Sequence, residues 1–192
     1  RSFFPEAYKA PVIPWIGQQL RKLPPFFADT QLEARFRTYY LRKDRTFDPN
    51  DSDFPPRLSE AWAIGGSIYY RSGWLKDVFA IEAEGFTSQP LVAPDDRGGT
   101  LLLAPVQEGY SVLGLANAKL RYKGIVLTGY RQSLGLPYVN RNDNRMTPHT
   151  FEALTLAKEE GRLRFSMGYI WRIKRRNADD FISMGEAAGA SK

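Results

Sequence analysis

Apolar and polar side chains alternate along most of this chain with a period of two. Across residues 30–42, Leu32, Ala34, Phe36 and Tyr40 fall on one face, and Gln31, Glu33, Arg35 and Arg37 on the other. Residues 62–71 set Trp62, Ile64, Ile68 and Tyr70 against Ala63, Ser67 and Arg71, and residues 79–84 set Phe79, Ile81 and Ala83 against Glu82 and Glu84. A fourth run places Ala116, Ala118, Leu120 and Tyr122 opposite Asn117, Lys119, Arg121 and Lys123. Weaker alternation covers 125–130 and 150–157. The clearest run opposes Leu163, Phe165, Met167, Tyr169, Trp171 and Ile173 to Arg162, Arg164, Ser166, Arg172 and Lys174. A helix would scatter these arginines around its circumference, so the pattern predicts about seven β-strands.

The connections carry their own signal. Residues 72–75, 123–124 and 158–161 are short, with Gly to supply a positive φ. Residues 43–58, 88–112 and 132–148 are long and rich in Pro, Asn, Asp and Gly. Short and long connections alternate strictly, which places all tight turns at one end of the sheet and all long loops at the other. Before these strands, prolines at 5, 11, 14, 24 and 25 break residues 1–28 into short pieces. Only residues 15–22 could form a helical turn or two, and the rest reads as an extended lead-in.

Alternating faces admit two readings. In a soluble sandwich or barrel the apolar face is the core and the charged face meets water. In a transmembrane barrel the apolar face meets lipid and the polar face lines a lumen. Strands of about 10–13 residues, longer than the soluble mode, suit a tilted membrane span. Aromatics near strand ends (Tyr39, Tyr40, Tyr69, Tyr70, Trp74, Phe86, Tyr122, Tyr130) suit interfacial girdles. Together with the loop alternation, these favour an all-β, antiparallel transmembrane barrel. A soluble basic β-module binding an anionic ligand or nucleic acid is the alternative.

Composition narrows the chemistry. Lys and Arg outnumber Asp and Glu 27 to 21, a net charge of +6 that favours anionic partners. With no Cys and one His, thiol nucleophiles, Cys-ligated zinc and multi-histidine metal sites are excluded, and the chain is read as a non-enzyme without cofactor or metal. Asn50, Asp51 and Asp53 with Asp44 resemble a calcium cluster but lack a Gly-centred ligand spacing. The basic run at 172–176 alternates with apolar residues and fits a strand end at a membrane surface better than a nucleic-acid site.

Leu23-Pro-Pro-Phe-Phe-Ala-Asp-Thr30, followed by Arg37-Thr-Tyr-Tyr-Leu-Arg-Lys-Asp44, resembles the start of the OprD-type porins of Gram-negative outer membranes. Residues 119–132, Leu136-Pro137 and Asn144-Arg-Met-Thr-Pro-His-Thr-Phe151 resemble that family's fourth and fifth strands and the exit from its third loop, with His149 where the family more often has Gln. Residues 181–189 resemble a later segment. The resemblance implies a monomeric barrel of eighteen strands, of which this chain supplies about seven. It therefore implies a fragment, with 1–28 as lead-in and 29–192 as barrel wall.

The strand phase and the resemblance together nominate residues. If the polar face lines a lumen, Arg35, Arg37, Arg71, Lys119, Arg121, Lys123, Arg164 and Arg172, with Lys174, can form a basic track that concentrates anions. The resemblance implies that such a ladder guides small carboxylate-bearing solutes, and that 132–148 is an inward-folded constriction loop. Tyr138, Asn140, Arg141, Asp143 and Arg145 would then line the eyelet. The competing possibility is that the inward arginines pair with Glu33, Glu82 and Glu84 and merely fill the lumen.

Overall fold

In the computed structural model, residues 22–44, 58–160 and 163–190 are described. Seven long strands follow one another: β1 (Gln31–Asp44), β2 (Leu58–Arg71), β3 (Phe79–Val92), β4 (Tyr110–Tyr122), β5 (Ile125–Gln132), β6 (Thr150–Glu160) and β7 (Leu163–Lys174). A two-residue β8 (Ile182–Ser183) pairs with β7, in a region where the sequence pattern predicts no strand. All pairings are antiparallel and run in chain order, so each strand lies beside its sequence neighbours. Fourteen residues at about 3.3 Å each, tilted by about 45°, rise about 33 Å, enough to cross a hydrocarbon core of about 30 Å.

Cross-strand partners share a face, so the register assigns both faces. One face carries Leu32 opposite Tyr70, Phe36 opposite Gly66, Leu120 opposite Leu127, and Leu156 opposite Met167. These side chains are open: Phe36 is 94% exposed, Met167 and Tyr169 72%, Leu32 71% and Ile68 64%. A soluble barrel or sandwich would bury this stripe, so the soluble reading does not describe this sheet. The stripe fits lipid contact. Tyr40, Tyr70 and Tyr122 stand on this outer face, but Tyr39, Tyr69 and Phe86 fall on the inner one and do not belong to a girdle.

Buried apolar residues gather on the inner face, under the long loops. Ala61 and Ala63 of β2 pack with Leu102 and Leu103 of loop 93–109 and with Met146 of loop 133–149. Both loops thus fold back onto the sheet. The strands reach further into these loops than alternation indicates: β3 runs to Val92 and β4 begins at Tyr110, so the expected loop 88–112 shrinks to 93–109. The hidden part of β3 contains Gly85, Ser88 and Pro90, and its register with β2 shifts beside Pro90, a bulge that accommodates proline.

At the opposite end, Leu75 and Phe79 close a tight turn whose central residues, Lys76 and Asp77, have φ of 49° and 60°. Lys123 and Gly124 do the same between β4 and β5, with φ of 48° and 77°. Paired positive φ values match the strands' right-handed twist. In the first turn they fall on Lys76 and Asp77 rather than on Gly73. Gly73 serves close approach instead: its N–H donates to Phe26 O at 2.9 Å, and a Cβ there would run into Pro25 O. This seats a single helical turn, α1 (Pro25–Ala28), with Phe26 stacked on Phe79 at 6.4 Å. The expected helical turns at 15–22, Lys22 excepted, and loop 45–57 with Asn50, Asp51 and Asp53 lie outside the described residues; of the expected turn at 158–161, residues 158–160 instead extend β6 and the last lies outside them.

The outer face yields a direct test. In a urea titration of the protein refolded into phosphatidylcholine vesicles, Ile68→Lys is expected to lower stability by about 2–4 kcal/mol. Ser166→Lys, on the inner face, should change it by no more than about 0.5 kcal/mol. Equal effects at the two positions would refute the assignment of faces.

Candidate functional site

The inner face of β1–β5 and the loop folded over it enclose a hollow of about 420 Å³. Strand residues Glu33, Arg35, Tyr69, Glu82, Glu84, Lys119 and Thr128 line it, and Arg141 and Pro148 of the loop close it. Register explains the assembly. Tyr69 faces Glu84, Arg71 faces Glu82, and Arg35 faces Ser67, so one side of three consecutive strands delivers charged groups to one space.

Most of the predicted track is paired with carboxylates. Arg35 Nη2 lies 2.8 Å from Glu33 Oε2, and its Nη1 lies 3.6 Å from Glu84 Oε1. Lys119 Nζ donates to Glu82 Oε1 at 2.7 Å. Arg121 pairs with Asp77 and lies 4.0 Å over the Trp74 ring, while Arg164 pairs with Glu159 across the β6–β7 hairpin. Arg172 reaches Glu152 at 4.0 Å; Glu152 also accepts from Arg131 and from the Trp171 indole, each at 3.2 Å. Lys123 stands in the β4–β5 turn beside the Tyr122 ring. Arg71, exposed on the inner face, forms no ion pair among the described residues.

Arg37 has a different role from its neighbours on β1. Its Nη1 donates to Asp143 Oδ1 at 2.8 Å and to the backbone carbonyl of Arg145, gripping loop 133–149. Arg141 holds the other Asp143 oxygen at 2.6 Å. Burial works against charge on Asp143, but the hydrogen bonds and charges of Arg37 and Arg141 outweigh it and keep the carboxyl below its usual range. Arg145 donates to Thr100 O of the neighbouring loop at 3.1 Å. Tyr138 is fully exposed at the loop tip, and exposed Asn140 accepts from the Asn142 N–H at 2.8 Å.

The loop base is closed by the His149 N–H, which donates to Arg141 O at 2.6 Å. Burial foremost, then the charges of Arg176, Lys174 and Arg175, lower the His149 pKa against a hydrogen bond to the Lys174 backbone. The imidazole is therefore neutral at pH 7. Sequence reading missed Asp77, Glu152 and Glu159 as partners. For Glu152 the inner-outer alternation is interrupted by a register shift beside Ala153. The Arg37–Asp143 contact spans 106 residues and has no local signal.

Comparison with known proteins places this arrangement. The sequence profile described as outer membrane porin, OprD family, matches residues 24–192. No curated protein sequence matches the chain. Among solved structures, OccK9 (OpdG) of Pseudomonas aeruginosa is similar at 25% identity and a TM-score of 0.73, covering 83% of this chain and 42% of its own. A BenF-like porin from Pseudomonas fluorescens Pf-5 is similar at 21% identity and a TM-score of 0.72, with coverage of 82% and 40%. Pseudomonas aeruginosa OpdK, solved with vanillate, is similar at 22% and 0.63, with coverage of 80% and 38%. The chain spans about two fifths of the length of these porins. The match over residues 24–192 and an antiparallel sheet with inward loops agree: the chain belongs to the OprD family of Gram-negative outer membrane porins.

Proposed function

We propose that this chain forms part of the wall of a passive diffusion channel for small carboxylate-bearing solutes. The observation that carries the reading is the hollow beneath loop 133–149, where Arg35, Lys119 and Arg141 converge. Arg71 leads away from it on the same face, beside Lys119, toward the turn-bearing end of the sheet. Guanidinium groups offer bidentate hydrogen bonds to carboxylates, and a narrow lumen strengthens them.

The glutamates beside these cations suit transport. A channel has to bind its solute loosely enough to release it. Unpaired clustered arginines would hold a carboxylate, whereas Arg35 shared between Glu33 and Glu84 keeps an exposed edge and an internal competitor. A solute would exchange with the glutamates as it descends, and Arg71 would offer the strongest single step. OpdK was solved with vanillate, an aromatic carboxylate, in line with this substrate class. Tyr138, Asn140, Arg141, Asp143 and Arg145 would shape the constriction, with Arg37 holding it rather than carrying solute.

Two outcomes test the proposal. In planar bilayers, Arg71→Ala is expected to reduce benzoate permeability about tenfold, the weight of one charged hydrogen-bonded contact near 1.5 kcal/mol. If neutralising Arg35, Arg71 and Lys119 together left the permeability of every small carboxylate unchanged, the track would carry no solute. The second concerns the grip on the loop. The lowered Asp143 pKa means the Arg37–Asp143 contact persists as pH falls through the ordinary carboxylate range and is lost only below it. Pepsin cleavage within loop 133–149 should begin only below that range. Asp143→Asn should be cleaved throughout, and equal cleavage of both proteins at every pH would exclude the contact as the restraint.

A further inference from the structure

Lys174 closes β7 opposite Thr150 and is completely buried, unlike the other cations of the strand. A buried ammonium is ordinarily matched by a carboxylate. Here Nζ donates instead to Thr147 Oγ1 at 3.1 Å and to Arg175 O at 3.0 Å, and lies 5.7 and 6.0 Å from the ring centres of Phe86 and Tyr110. So enclosed, it has no free edge for a passing solute. Thr147, also completely buried, is the centre of the group. Its hydroxyl shares a 2.9 Å hydrogen bond with the Tyr110 hydroxyl, and both lie within 3.0 Å of Arg176 O. Thr147 follows directly on the segment that Arg37 grips from β1. The exit leg of loop 133–149 is therefore strung between β1 on one side and β4 and β7 on the other.

We propose that Lys174, Tyr110 and Thr147 form a hydroxyl-centred lock, with Lys174 a positioning residue that fixes the constriction loop at its exit. The inference rests on the diffusion-channel reading above. The lock differs from the Arg37 grip in being held by hydroxyl and backbone hydrogen bonds rather than by an ion pair, although Asp179 lies within electrostatic range of Lys174 and Tyr110.

The test uses Thr147→Val, which keeps the side chain's shape but removes its hydroxyl, Thr147→Ser, which restores the hydroxyl, and Lys174→Met. Single-channel recordings in planar bilayers should show several-fold more frequent partial closures for Thr147→Val and Lys174→Met. Thr147→Ser should match the unsubstituted protein, and heat resistance of the barrel on gels should be the same throughout. A Thr147→Val channel as quiet as the unsubstituted one would overturn the lock, as would a Thr147→Ser channel as noisy as Thr147→Val. Trypsin cleavage at Arg141 and Arg145 follows the loop without any current. A silent protein whose loop is freed by Thr147→Val would defeat the channel reading alone. A conducting one whose loop stays protected would defeat the lock alone.

Discussion

A sheet in lipid must satisfy every backbone N–H and C=O by pairing, because the hydrocarbon offers no water to do so. The rest of this structure follows from that demand. Antiparallel neighbours in strict chain order satisfy it most simply, using tight turns at one end and freeing the other for long connections. The same ladder commits side chains to alternate sides, so an apolar outer face obliges the inner face to take everything polar. Charge density on the inner face is thus a consequence of the pairing scheme. On the outer face, Thr87 and Ser111 hydrogen bond to each other at 2.8 Å, as polar groups facing lipid have to.

Charge on the inner face is balanced more than its composition suggests. Read as a count, +6 describes an anion-attracting surface. In place, Arg35, Lys119, Arg121 and Arg164 each have a carboxylate partner. The outcome sits between the two sequence-level possibilities: the cations do pair with inward glutamates, and the pairs still line open space. The exposed Arg164–Glu159 pair contributes little to stability, whereas Lys119–Glu82 is largely shielded from water and orients both groups on the inner face.

What the sequence disclosed, and what it hid, follows from range. Period-two alternation exposes strand phase directly, which is why it assigns Arg35, Arg71 and Lys119 to one face. It fails where a bulge interrupts the phase, as between Glu152 and Ala153, or where small and proline residues replace the pattern, as in Gly85–Pro90 of β3. Turn chemistry misled at Ser72–Leu75, since Lys76 and Asp77 adopt the left-handed conformation usually left to glycine or asparagine. The loop contacts were invisible because Arg37 and Asp143, or Tyr110 and Thr147, have no local periodicity linking them.

Those long-range contacts decide what the lumen can do. Strand phase fixes which cations reach the inner face, but the space between them depends on where loop 133–149 rests. That position is set by two unlike restraints: an ion pair to β1, and a buried hydroxyl and ammonium cluster against β4 and β7 that is held by hydrogen bonds rather than by an ion pair. Met146 adds a third by packing on Ala61 and Ala63. The restraints differ in chemistry, so salt that screens the ion pair leaves the hydroxyl hydrogen bonds and the Met146 packing in place. The loop can lose the ion pair and stay near the wall, where a loop held by ion pairs alone would be released.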